Sequence, residues 1–132
     1  TRDGNLYCFN IEEKSLLWQK KLHTEVKGII NFESYLYITC YDGTIYKLSR
    51  TARGREIWKR KLPKLIKGIA APTEELVYTG CINGILYALD SKTGEIFWEK
   101  SYGKKAISSD IVIYKDSIYF ANDNGTLYAL SK

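Results

Sequence analysis

Asn83-Gly84-Ile85-Leu86-Tyr87-Ala88-Leu89-Asp90-Ser91-Lys92-Thr93-Gly94-Glu95-Ile96-Phe97-Trp98 holds two short apolar runs and the turns that frame them. Asn83-Gly84 is a hairpin-closing dipeptide, because both central residues of a type I′ turn need positive φ. Ile85 to Leu89 reads as a strand that is apolar on both faces. Asp90 to Gly94 is a polar turn with glycine at its end, and Glu95 to Trp98 opens the next strand.

The same unit recurs on either side. Asp42-Gly43-Thr44-Ile45-Tyr46-Lys47-Leu48 runs on to Gly54 and Trp58, and Asp3-Gly4-Asn5-Leu6-Tyr7-Cys8-Phe9 runs on to Trp18. A fourth copy starts at Asn124-Gly125-Thr126-Leu127-Tyr128-Ala129-Leu130. The turn glycines lie 39, 41 and 41 residues apart and the tryptophans 40 and 40. Periods of this size belong to solenoids, propellers and arrays. The repeat units run approximately 3–41, 42–82 and 83–123, with a partial unit at 124–132, in one domain spanning 1–132.

Reading turns and apolar runs in order predicts thirteen strands and no helix, at about 5–9, 16–22, 28–33, 35–41, 44–49, 56–62, 68–72, 76–82, 85–90, 95–101, 107–114, 117–122 and 126–131. Four strands per period of about 40 residues is the arithmetic of a propeller blade. The faces agree with it. Tyr35 to Tyr41 and Ile85 to Leu89 have no polar face, as a blade packed between two neighbours requires, whereas an ordinary antiparallel sheet has one wet face. Trp18-Gln19-Lys20-Lys21 and Trp58-Lys59-Arg60-Lys61 turn polar past the indole, which suits an outermost strand whose lysines guard a free edge. The expected fold is all-β: four-stranded antiparallel blades, about three of them, forming part of a propeller.

The chain has 132 residues, 45% hydrophobic and 14% aromatic, with no apolar run long enough for a membrane helix. It contains no methionine, so it is expected to be a piece of a longer protein. Cys8, Cys40 and Cys81 are odd in number and fall in strand positions, which favours small buried thiols over a disulfide framework or metal site. Free thiols favour a reducing, cytoplasmic compartment, with the periplasm as the alternative. Asn124-Gly125-Thr126 is a formal glycosylation sequon that coincides with the recurring turn. The net charge of +5 comes from lysines and arginines clustered on the predicted outer strands and their turns. Nucleic acid is not the expected partner, because the aromatics sit on strands that should be buried rather than interleaved with the cations.

Ala88-x-Asp90-x-x-Thr93-Gly94-x-x-x-Trp98 resembles, position for position, the docking motif of PQQ-type (quinoprotein-like) β-propeller repeats. The resemblance implies that each indole is clamped between the small residue opening the motif and backbone of a neighbouring repeat, so that each tryptophan rivets one blade to the next. Trp98 is then held against Ala88. The first unit reads Cys8, Asn10, Lys14 and Trp18, keeping a small residue and losing the glycine. The second keeps Gly54 and Trp58 but carries Lys47 where a small residue belongs, which implies a looser hold on Trp58 than on Trp98. WD40 repeats place Asp after the Trp, where this chain has Gln19, Lys59 and Glu99, and the Gly-Gly pair of kelch repeats is absent.

Quinone-dependent dehydrogenases of this family use an adjacent Cys-Cys pair, a Ca²⁺ held by acidic and amide side chains, and an Asp base. This chain has no adjacent cysteines, and its acidic residues fall in repeat turns. His23 is the only histidine, which leaves no material for a histidine metal site or a serine triad. No catalytic residue, cofactor or metal is expected. The resemblance implies a non-catalytic scaffold for protein interaction or assembly, partnered by the remaining blades of a parent chain or by self-association. The alternative is a segment of a PQQ-dependent dehydrogenase whose catalytic blades lie outside this chain.

Overall fold

The computed structural model describes residues 2–131, which form thirteen strands and no helix. β1 (Asn5–Asn10) and β2 (Ser15–Lys21) make a two-stranded first sheet. β3 (Val26–Phe32), β4 (Tyr35–Cys40), β5 (Thr44–Ser49) and β6 (Glu56–Lys61) make the second, four-stranded in chain order. β7 (Ala71–Pro72), β8 (Leu76–Gly80), β9 (Ile85–Asp90) and β10 (Ile96–Ser101) make the third in the same order. β11 (Val112–Tyr114), β12 (Ser117–Ala121) and β13 (Leu127–Ser131) make a three-stranded fourth sheet. Every pairing is antiparallel. The sheets are propeller blades, as the repeat period implies.

The sheets are staggered against the sequence period. Each repeat starts at the turn before the third strand of a blade, supplies that blade's outer two strands, and then crosses to form the inner two of the next. The crossing loops are tied down by backbone bonds. Leu62 N–H donates to Gly43 O at 2.9 Å, Ile66 N–H to Tyr41 O at 3.0 Å, and Ile82 N–H to Leu65 O at 3.0 Å.

The recurring glycine turn is a correction to the type I′ reading. Gly84 is left-handed at φ 77°, while Asn83 is not, and Gly84 N–H closes the turn on Cys81 O at 3.1 Å. Cys81 N–H then bonds Ile85 O at 3.0 Å. This is the three-residue loop in which a turn runs into a left-handed glycine, and it needs positive φ at one residue only. Gly43 and Gly125 repeat it, on Cys40 O and Asn122 O.

β7 and β11 are also shorter than the 68–72 and 107–114 expected. Pro72 has no N–H to extend the ladder, and Ile107 keeps only an isolated bridge to Asn122. Before them the chain is pressed too close to its neighbour for a regular strand: a Cβ at Gly68 would lie 2.0 Å from Ser109 O.

The core lies between blades rather than within one. Tyr37, Ile45, Leu48, Leu86 and Leu89 are fully buried, and β5 is buried along its whole length because both of its faces are covered. The outward faces of the first and fourth sheets are open and apolar, with Tyr7 and Phe9 exposed on one and Val112, Tyr114 and Leu127 on the other. Cys40 and Cys81 are buried free thiols, and Cys8 is half-buried. No helix among the described residues is long and apolar enough to cross a membrane.

Candidate functional site

The third strand of each blade brings the motif's first residue opposite the tryptophan of the fourth. Ala88 faces Trp98, Lys47 faces Trp58, and Cys8 faces Trp18. Cross-strand partners share a face, so each indole lies over the residue that opens its own motif. The other side of the indole meets the next repeat. The Trp58 ring lies so close to Gly94 that a Cβ there would stand 2.6 Å from Cε3, and the Trp18 ring meets Gly54 in the same way, at 2.9 Å from Cζ3. Both glycines are left-handed, at φ 73° and 68°. Each motif glycine therefore receives the tryptophan of the preceding blade rather than its own.

Trp58 is 7% exposed, and its Nε1–H donates to Ser91 O at 3.0 Å. Tyr37 meets it edge-on with ring centres 6.2 Å apart, and the Tyr37 hydroxyl shares a 2.9 Å hydrogen bond with Ser91 Oγ. Arg60 Nε–H, two residues on from the indole, donates to Gly94 O at 2.6 Å. The polar turn that receives all this is set by Asp90, whose carboxylate accepts the N–H groups of Lys92 and Thr93, each at 2.8 Å. Those bonds hold the Asp90 carboxyl below the ordinary carboxylate range. Asn10 does the same for Glu12 and Glu13 in the first repeat.

Lys47 does not loosen this contact, which corrects the expectation that Trp58 is the weaker rivet. Its side chain is buried at 6% exposure, and its ammonium donates to Ser91 O at 2.8 Å, the same carbonyl that Trp58 bonds. It also lies over the Tyr35 ring, 4.0 Å from the centre. A long stem carrying a terminal donor can cross the blade interface where a small residue only leaves room. Trp98, by contrast, is half-buried. It packs on Tyr78 at 6.0 Å and borders an open cleft of about 450 Å³ with Leu76, Phe97, Ile118 and Leu130.

Sequence reasoning missed Ser91, which nothing in its neighbourhood distinguishes, and the outer-strand bulge. Leu17, Ile57 and Phe97, each just before a tryptophan, are skipped by the pairing with the neighbouring strand. All three are exposed, at 48%, 39% and 68%. Two consecutive apolar residues breaking the alternation were the available signal.

The two ends of the blades differ in charge. One end carries the glycine turns and the crossing loops, and there Asp3, Glu25, Asp42 and Asp123 each pair with a lysine: Lys21, Lys27, Lys61 and Lys67. Burial raises the Asp42 carboxyl, but the bonds from Lys61 and from the Thr44 amide and hydroxyl outweigh it and hold it below the ordinary range. Glu33, Glu74, Glu75 and Asp116 lie at the opposite end, in the turns between first and second strands.

The donors present do not fit a quinone cofactor with calcium. The three cysteines belong to three separate blades, and burial pushes the Cys40 and Cys81 thiols up to about 12. The Asp42 and Asp90 carboxylates are committed to their own turns. Among the described residues no cluster of His, Cys, Asp and Glu could hold a metal ion.

The family model described as outer membrane protein assembly factor BamB matches residues 41–132. A relative of that name from Legionella pneumophila (strain Paris) is 29% identical over 141 residues, covering 98% of this chain and 36% of its own length. The chain thus spans about a third of the curated relatives it matches. The crystal structure of BamB from Moraxella catarrhalis superposes with a TM-score of 0.82 at 19% identity, over 99% of this chain and 44% of that one. The computationally designed Ika4 protein superposes at 0.87 with 17% identity, over 98% and 81%. At those identities the two structures speak for the fold alone.

Proposed function

The chain belongs to the PQQ-like repeat family of the outer membrane protein assembly factor BamB, and from that premise we propose that it is a non-catalytic interaction module, one segment of a longer propeller. One observation carries the reading: the thiols and carboxylates that a quinone cofactor with calcium would need are buried or committed to their own turns, and the motif side chains hold blade to blade. Trp58, Tyr37 and Lys47 all converge on Ser91 of the next blade. The named relatives are assembly factors about three times as long, which supports further blades covering the apolar outer faces.

Two measurements test this reading. Light scattering on the isolated chain should give a mass above 15.2 kDa, because blade faces supplied by a second copy cover the open ones. Adding the parent's neighbouring blades should replace that association. A clean monomer at ~50 µM that unfolds cooperatively overturns the segment reading. PQQ titrated with Ca²⁺ should leave the tryptophan fluorescence unquenched. Saturable, calcium-dependent quenching at micromolar PQQ would overturn the non-catalytic reading.

A further inference from the structure

We propose that the end of the blades carrying the crossing loops is a docking rim for an acidic, extended protein segment, with Lys64, Lys104 and Lys105 as its contacts. The proposal rests on the interaction-module reading and names the partner's chemistry.

The charge of this rim is not self-balanced. Its acids at the glycine turns and loop starts are each held by a lysine of the same rim. Asp110, further along a crossing loop, is bonded to the Ile69 N–H at 2.8 Å. Lys64, Lys104 and Lys105 are exposed, and none forms an ion pair among the described residues. A solvated rim whose lysines only block edge pairing would carry them on the outer strands. These three stand beyond the strand ends, on the loops that join blades.

The backbone of the loops that carry them is closely packed. Gly43 packs beneath the Lys64 carbonyl, where a Cβ would stand 2.5 Å from its oxygen, and Gly84 packs beneath Gly103 and Lys105, at 2.2 and 2.8 Å. Tyr102 N–H bonds Gly84 O at 2.8 Å, as Leu62 N–H bonds Gly43 O. Lys64 and Lys104 hold the same place in successive repeats, six residues after Trp58 and Trp98. Unpaired cations fixed one blade apart favour an anion running along the rim across blades, not a single compact charge. With the loop backbone held, only the lysine stems must be ordered on binding.

A protein segment fits better than the other polyanions. None of the exposed large apolar residues lies in the loops or turns of this rim, so a lipid surface would meet charge without anything to insert. Nucleic acid would want aromatic faces between the cations. The half-buried Tyr41 and Tyr102 are the aromatics nearest the rim, and each has a lysine ammonium over its ring, Lys27 and Lys100.

The test is fluorescence anisotropy of a labelled Glu/Asp-rich peptide against the full chain. We expect saturable binding that weakens as salt rises and falls at least about tenfold in a Lys64→Glu, Lys104→Glu, Lys105→Glu variant whose circular dichroism is unchanged. A variant reversed at the opposite end, Lys92→Glu with Lys115→Glu, should bind within about twofold of the parent. Absence of binding at low salt overturns the proposal, as does equal loss in both variants. So does tighter binding to phosphatidylserine vesicles or an oligonucleotide of matched charge. These failures leave the interaction-module reading standing, because that reading falls only on the monomer and PQQ results.

Discussion

Removing the two internal tryptophans one at a time measures the rivets directly. Trp58→Ala deletes an indole that is 7% exposed and fills the space between Tyr37, Lys47 and Gly94. Such a deletion costs ~3–5 kcal/mol, through lost transfer energy and the cavity left behind. The lost Nε1–H bond adds little, because Ser91 O keeps Lys47 as donor and is not orphaned. Trp98→Ala deletes an indole that is only partly covered, so up to about a third of the burial is already absent and roughly 2–3.5 kcal/mol is at stake. With a urea m-value of about 2 kcal/mol/M, the two midpoints should differ by roughly 0.5 M, with Trp58→Ala the lower. Both variants should be measured at one protein concentration, so that association contributes equally. Equal midpoints, or a lower one for Trp98→Ala, would show that the neighbouring glycine and Lys47 do not hold the indole as described.

Three further outcomes follow from the same contacts. Gly94→Ala should destabilise well beyond Gly125→Ala: both glycines are left-handed, costing ~1–2 kcal/mol for a side chain, but only Gly94 would drive a Cβ into an indole, while nothing lies within 4 Å of Gly125. Equal losses in denaturant midpoint would assign the whole effect to backbone strain. A thiol reagent such as DTNB should label one cysteine of the native chain, Cys8, and three after denaturation, because Cys40 and Cys81 are buried with thiols pushed up to about 12; rapid native labelling of all three refutes this. Asp42 has a folded pKa below its unfolded one, so the stability it contributes is complete above about pH 4 and is lost as pH falls through the depressed value. NMR titration of the carboxyl should find that depression, and Lys61→Met should raise the pKa; an unchanged midpoint would mean that the ion pair and hydrogen bond to Lys61 carry no weight.

The strand plan was legible because it rests on turn chemistry and two-residue alternation repeated at a fixed period, so each repeat corroborates the others. Gly43, Gly84 and Gly125 marked their turns even though the turn type was misread: a dipeptide cannot reveal that the residue before it also belongs to the loop. The weight of Lys47 was illegible for a different reason. A motif records which residue sits opposite Trp58, but not that a lysine stem is long enough to reach Ser91 across the interface. The shortened β7 and β11 escaped because their neighbours are set by packing at Gly68 and Ile107, which local sequence does not display. The exposure of Trp98 was likewise hidden, since it depends on what lies on the far side of the indole.

The half-blade offset between sequence period and sheet bears on how such an array changes length. A gene segment of one period, cut at any glycine turn, encodes the outer strands of one blade and the inner strands of the next. Inserting it leaves both junctions complementary: the new outer strands pair with existing inner ones, and the new inner strands receive the old outer ones. Every sheet between the junctions is still four-stranded, and a unit that carries the motif glycine still receives the indole of the repeat before it. Duplication or loss of a whole unit therefore creates no mismatched seam.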